Sequence, residues 1–279
     1  MRLEKVARHF DRMVCRDGYT GEHLFRAQLG LYDDNKRDSE TQERRTISMG
    51  ADTVLPARRV IAAAGTRFIL GHANPDDFNG STLRVSYVAH EATTLAVVRT
   101  LDEVCTDATG TSAYAGRAWV KDKAYTDEGS NLFPQVHLHF AAGEPVSDDK
   151  IVGYAGRSYI VREITDGAGG TLIATCEEME EPSVETASIS SGAYNPVLDT
   201  VAGAPTSVQV VRVRWQALFK YRNNLAPKFS PGDMQIAVSK SDVASLLPGA
   251  TVTMSDGTWK VMSALSEGPV WLCRVTLHG

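Results

Sequence analysis

The sequence predicts a mainly β protein built from small antiparallel barrels or sandwiches, with a short N-terminal helix. Two observations carry this. After the first turn signal, Asp17-Gly18, apolar and polar residues alternate with period two in many short runs. These runs are rich in β-branched and aromatic residues and are bounded by Gly, Pro, Asn and Asp, as short strands joined by tight turns are.

The first stretch differs. Leu3, Val6, Phe10, Met13 and Val14 recur at three- and four-residue spacing, which places them on one face of an amphipathic helix that Asp17-Gly18 ends. Strands are then expected at Leu24–Leu31, Thr46–Met49, Arg59–Ala62, Phe68–Leu70, Leu83–Val88, Thr94–Arg99, Tyr114–Val120 and Val136–Phe140. The polar stretch Tyr32–Arg45 reads as a solvated hairpin loop or arm. A local pattern recurs: Ile61-x-x-x-Gly65-x-x-Phe68, Val152-x-x-x-Gly156-x-x-Tyr159 and, more loosely, Thr253-x-x-x-Gly257-x-Trp259. Each is a tight hairpin signal. Because the spacing is inexact, we read it as general β-meander grammar rather than duplication.

Residues 184–205 are small and polar with Pro and Gly, and read as a flexible linker. The expected organisation is therefore an N-terminal helix and β-rich domain over 1–183, the linker, and a small barrel over 206–279. In that last segment the strand Val208–Trp215 leads through Asn223-Asn224, Ser230–Asp233 and Leu247–Gly249 to Thr251–Met254, Trp259–Met262 and Val270–Leu277.

Composition narrows the function classes. With 43% hydrophobic and 23% charged residues over 279 positions, the chain is an ordinary globular sequence able to bury a core. No apolar run approaches the roughly 20 residues of a spanning helix, and Met1-Arg-Leu-Glu-Lys-Val has no signal-like apolar region. Cys15, Cys105, Cys176 and Cys273 are widely spaced and are expected reduced. Net charge is −5, unevenly spread: residues 144–205 hold 3 basic and 11 acidic side chains, residues 206–279 hold 8 and 4. Uneven solvation explains this, as do complementary surfaces for self-assembly.

Candidate chemistry is sparse. His137-x-His139 puts two imidazoles on one strand face, but no third ligand follows at metal-site spacing, so the pair reads as a surface or interface feature. No G-x-S-x-G, H-E-x-x-H or catalytic Cys signature is present. Gly167, Gly169 and Gly170 sit in a hairpin turn rather than a strand-to-helix phosphate loop. The carboxylates Asp76-Asp77 and Glu177-Glu178 read as turn or linker-edge residues, and Asn74–Asn79 lacks calcium-loop spacing. No catalytic, cofactor or metal residue is assigned, and a non-enzymatic role is expected. Basic and aromatic residues interleave from Arg212 to Phe229, as on single-stranded nucleic-acid platforms. Val208, Val210, Val211 and Val213 favour a plainer account, a barrel core with charges outward.

The C-terminal quarter resembles the small β-barrel head-closure and head–tail connector proteins of tailed bacteriophages. Val211–Trp215, Tyr221–Asn224, Pro231-Gly-Asp-Met-Gln-Ile-Ala-Val238, Leu247–Thr253, Gly257-Thr-Trp-Lys-Val261 and Trp271–Val275 carry the resemblance. Ala250 stands where the family usually has an acidic residue. The resemblance implies a structural virion protein, assembled in the host cytoplasm, that forms a homo-oligomeric ring in the neck. Its implied partners are further copies of itself, portal or adaptor and tail proteins, and non-specifically packaged double-stranded DNA. Pairing of open sheet edges between subunits is the expected means of assembly. Lys220, Arg222, Asn223, Asn224, Lys228 and Phe229 are the candidate channel or interface loop. The alternatives are a tail-associated adhesin or fibre-accessory protein and a virion-associated hydrolase.

Overall fold

The computed structural model describes residues 13–31, 45–78, 81–118, 135–167, 170–179, 181–192, 194–195, 197, 200–201, 203–213 and 232–278. The predicted β class holds, in the form of three closed six-stranded antiparallel barrels. The first consists of β1 (Met13–Asp17), β2 (His23–Leu31), β3 (Arg45–Gly50), β4 (Val60–Ala63), β5 (Thr66–Phe78) and β6 (Ser81–Glu91). The middle barrel has β7 (Thr94–Arg99), β8 (Thr111–Arg117), β9 (Gln135–Phe140), β10 (Ile151–Tyr154), β11 (Arg157–Asp166) and β12 (Leu172–Met179). The third has β13 (Ser183–Ser190), β16 (Pro205–Val213), β17 (Asp233–Ser239), β18 (Thr251–Met254), β19 (Gly257–Glu267) and β20 (Val270–Leu277). A two-stranded ribbon, β14 (Tyr194–Asn195) and β15 (Thr200–Val201), is inserted after β13. Among the described residues one short helix, α1 (Leu101–Cys105), lies between β7 and β8.

All three barrels share one strand order. Counting strands within each barrel, the order around the wall is first, second, third, sixth, fifth, fourth, and the fourth pairs back onto the first. The repeated sequence pattern marks the fourth–fifth hairpin each time, in one register. Ile61 faces Phe68, Val152 faces Tyr159 and Val252 faces Trp259. The amides of Leu70, Val161 and Val261 donate to the carbonyls of Arg59, Lys150 and Ala250 at 2.9, 2.9 and 2.8 Å. The pattern is thus the signature of a threefold architectural repeat rather than loose meander grammar. Its spacing looked inexact because the turns differ. Ala64-Gly65 and Ala155-Gly156 turn with φ of 50° and 80°, and 50° and 76°, the double positive φ of a tight hairpin turn. The third hairpin turns at Ser255-Asp256 and places its glycine, Gly257, one residue later.

Two expectations are corrected. Met13 and Val14 belong to strand β1, paired with Ala27 and Arg26, and not to a helix; the rest of the predicted helix lies outside the described residues. Val14 and Arg16 face outward while Cys15 is buried, so at this end the period-two pattern prevails. The predicted linker is likewise not a tether along its length. Ser183–Ser190 is the first strand of the third barrel, paired with β16 from Ser183↔Arg212 to Ser190↔Pro205 and with β18. Its many Ser and Thr residues take the outward positions, while Ala187 and Ile189 enter the core.

Core filling follows the alternation. Cys15, Ala27, Ile47, Met49, Ile61, Phe68, Leu70 and Ala89 fill the first barrel. Ile189, Val208, Val210, Ile236, Val238, Val252, Trp259, Val261, Cys273 and Val275 fill the third. By packing, the chain divides into two compact units, residues 1–96, 112–148 and 163–176 in one, and 97–111, 149–162 and 177–279 in the other.

All four cysteines are free and buried. Burial pushes the Cys15 thiol up to about 11 and those of Cys105, Cys176 and Cys273 up to about 12. The unfolded chain releases these protons near pH 9 while the fold retains them, so this contribution to stability is complete below pH 9 and disappears as pH climbs through 11–12. We therefore expect no thiol to react with an aromatic disulfide reagent in the native state at neutral pH. We also expect the urea midpoint to fall progressively above pH 9, with Cys176→Ala flattening the fall.

Candidate functional site: the joints between barrels

The described side chains with the densest polar chemistry sit where one barrel meets the next. In the first unit the apolar pair Val60 and Ile69, Cα partners across the β4–β5 hairpin, faces out of the first barrel. It packs with Ala92 and Ala141, and with Tyr19 and Tyr114 at the margin. β8 comes so close here that a Cβ on Gly116 would stand 2.1 Å from the carbonyl oxygen of Glu91, so only glycine fits.

Beside this apolar contact lies a charged knot. The Glu144 side chain has no solvent exposure and is ion-paired to Arg58. Arg58 also donates from Nε to Glu144 Oε2 at 3.1 Å and from Nη2 to the Ser112 carbonyl at 2.8 Å. Tyr19 Oη donates to Glu144 Oε1 at 2.5 Å and accepts from the Tyr114 amide at 2.9 Å. The Arg58 guanidinium stacks on the Tyr19 ring at 4.0 Å, and that of Arg67 on the Tyr114 ring at 4.6 Å. Desolvation, then the bond to Glu144, drives the Tyr19 phenol well above its usual range, so it remains a donor at physiological pH. A carboxylate, a guanidinium and a phenol in contact invite a catalytic reading. Here each donor and acceptor named is spent on its neighbours, and the arrangement works as a clamp.

Of the histidine pair, His139 reaches the same joint. His137 and His139 share an outward face, as expected. His139 is buried, its Nε2 lies 3.0 Å from Thr171 Oγ1, and its ring lies 4.2 Å from that of His90. His137 Nδ1 lies 3.2 Å from Thr175 Oγ1. Among the described residues no group of three His, Cys, Asp or Glu side chains is placed to hold a metal ion.

The second unit contains a corresponding joint. Ile151 and Ile160, the Cα partners at the start of the β10–β11 hairpin, face outward and pack with Val104, Cys105, Met179, Val211, Ala237, Val270 and Leu272. Helix α1 is set by a capping box: Thr100 Oγ1 accepts from the Glu103 amide, and Glu103 Oε2 accepts from the Thr100 amide. Ser239 Oγ then donates to Asp102 Oδ1 at 2.6 Å. The helix was not anticipated, although Thr100-x-x-Glu103 is its signature.

The other anticipated residues separate. Asp76-Asp77 lies within β5, where Asp77 accepts from Thr82 at 2.5 Å, and not on a turn. Glu177 and Glu178 lie in β12 and pair with Arg162 and Arg157 at 2.7 and 2.9 Å. Gly167 and Gly170 do border the β11–β12 turn, closed by the Gly167 amide on the Thr171 carbonyl at 2.8 Å. Val208 and Val210 point into the third barrel and Val211 out into the joint. Arg212 pairs outward with Glu185 and with Asp256 at 2.6 Å, and these carboxylates, with a hydrogen bond from Trp259, hold its guanidinium charge and the β18–β19 turn in place. Lys220, Arg222, Asn223, Asn224, Lys228 and Phe229 lie outside the described residues.

Comparison with protein-family models, with characterised proteins and with solved structures gives no match for this chain. What fold and site establish is a mainly β protein of three like barrels. No helix among the described residues is long and apolar enough to cross a membrane.

The clamp makes a sharp prediction. Arg58→Ala leaves Glu144 buried without its counter-charge and should cost about 3 kcal/mol or more in urea denaturation. Tyr19→Phe strands one oxygen of Glu144 and the Tyr114 amide and should cost about 1–3 kcal/mol. A loss below about 0.5 kcal/mol for both would show that the knot contributes nothing to the joint.

Proposed function

We propose that this protein is a structural component of the neck of a tailed bacteriophage, assembling as a ring that joins the head and portal to the tail around the DNA channel. The observation that supports the reading most is in the third barrel. Asp233–Val238, Thr251–Thr253, Gly257–Val261 and Trp271–Val275, the runs that carry the connector-like sequence, form successive strands β17, β18, β19 and β20 of one closed barrel. A chain of like modules fits a part whose work is contact rather than turnover.

Closure changes how such a ring would assemble. A closed wall satisfies its own backbone ladder, so open sheet edges are not the main resource for pairing copies. Outward side chains and the segments joining strands take that role. Residues 214–231 contain Arg214, Lys220, Arg222 and Lys228 and no acidic residue, a composition suited to a polyanion or to an acidic neighbouring surface.

Purified particles test this directly. The protein should be found in virions by mass spectrometry, and particles made without it should be heads lacking attached tails or emptied of DNA. Deleting Asn223–Lys228 should leave the thermal midpoint unchanged and lower the fraction of full, tailed particles. Absence from purified virions, or normal tailed particles without the protein, would reject the neck reading.

A further inference from the structure

Both joints use the same positions, so the corresponding faces of the first and third barrels can be read off by register. On the side that seats onto the next barrel, the positions are the outward pair at the start of the fourth–fifth hairpin. They are Val60 and Ile69 in the first barrel and Ile151 and Ile160 in the middle one. The register assigns Thr251 and Lys260 to this place in the third barrel. Thr253 and Thr258 flank them on the same outward face, joined Oγ1 to Oγ1 at 3.2 Å. An apolar pair has become a polar, cationic face.

The receiving side behaves in the same way. In the third barrel it consists of Val211, Ala237, Leu272 and Val270, on the second, third and sixth strands. The turn after the third strand aligns the barrels: the amides of Thr53, Glu144 and Asp242 donate to the carbonyls of Gly50, Ala141 and Ser239 at 3.1, 3.3 and 3.2 Å. Two residues earlier stand Ser48, His139 and Ala237. His139 faces Gly116, and both belong to the first joint. Ladder partners then give the first barrel's receiving face as Gln28, Ser48, Ser86 and Arg84. All four are polar where the third barrel has four apolar residues. Ser48 Oγ lies 2.8 Å from Ser86 Oγ and accepts from Arg84 Nη2 at 2.9 Å.

We infer that the outward pair of the fourth–fifth hairpin is the interlock by which one barrel seats on the next, and that Thr251 and Lys260 cap it on the third barrel, withholding it from a further copy. An apolar face of this kind left open would take up another copy. The third barrel's Thr251–Lys260 face is therefore not a docking site for another copy through this joint. The inference does not depend on the neck reading.

Cys105 provides a selective reporter, because it lies in the second joint whereas Cys15 and Cys273 lie inside barrels. Writing the terminal residues into the middle barrel, Ile151→Thr with Ile160→Lys in the full chain, should speed modification of Cys105 at least tenfold while Cys15 and Cys273 stay protected. Cys105 as protected as in the unaltered chain, or all four thiols reacting together, would overturn the interlock. Separately, a bulky maleimide on Thr253→Cys should leave the sedimentation coefficient of the full chain unchanged apart from the added mass. Loss of a self-associated species on labelling would show that the third barrel's end face docks another copy, and would overturn the capping.

Discussion

A strand in a closed barrel has an inner and an outer face, and in the first two fourth–fifth hairpins both faces are apolar. Ile61 and Phe68 turn inward while Val60 and Ile69 turn outward. Such a hairpin is stable in water only when something covers its outer side. This requirement explains much of what surrounds it. Ala92, Ala141 and the two tyrosines supply the cover in one joint, and α1 with the outer wall of the third barrel supplies it in the other. The polar groups that come with the cover must then be paired in a dry setting. That is the reason for the Glu144 clamp and for the Ser239–Asp102 bond.

The two joints share positions but not chemistry. The first combines a small apolar contact with a buried ion pair, two stacked guanidiniums and a histidine stack. The second is mostly aliphatic, with one helix as a wedge. A buried ion pair adds less net stability than an aliphatic contact of similar size, but it tolerates misalignment poorly. The first joint accordingly rests on paired polar groups beside a small apolar contact, and the second on aliphatic burial. For a protein proposed to act by holding neighbours in position, that division of labour matters more than any single reactive group.

Much of this fold was legible in the sequence. Thr94–Arg99, Thr251–Met254 and Val270–Leu277 are strands with the boundaries that alternation and turn residues indicate. Three features were not legible, each for a physical reason. Met13 and Val14 satisfy both a helical and a strand spacing, and only pairing with β2 decides between them. The Ser- and Thr-rich run at 183–190 resembles a linker because its outward positions are polar, and only two inward side chains, Ala187 and Ile189, report the core. The joints were invisible because period-two analysis assigns one face to the core and treats the other as solvent, so Val60, Ile69, Ile151 and Ile160 passed as ordinary strand residues. Glu144, buried at a loop, carries no sequence mark at all.

Strand order has a consequence for how the chain is made. In each barrel the wall closes by pairing the first strand with the fourth: Arg16 with Ala62, Val98 with Val152, Ile189 with Val252. No barrel can shut until the chain has run well past its opening strand, and non-local closure of this kind is slow. The first barrel is complete in sequence at Glu91, yet Ala141, part of its outer cover, is 50 residues further on. As the chain leaves the ribosome, a closed barrel thus waits with Val60 and Ile69 wet. The modules are finished in series, and each one keeps an adhesive face until its successor arrives. The third barrel, with Thr251 and Lys260 in that place, has no such apolar pair to cover.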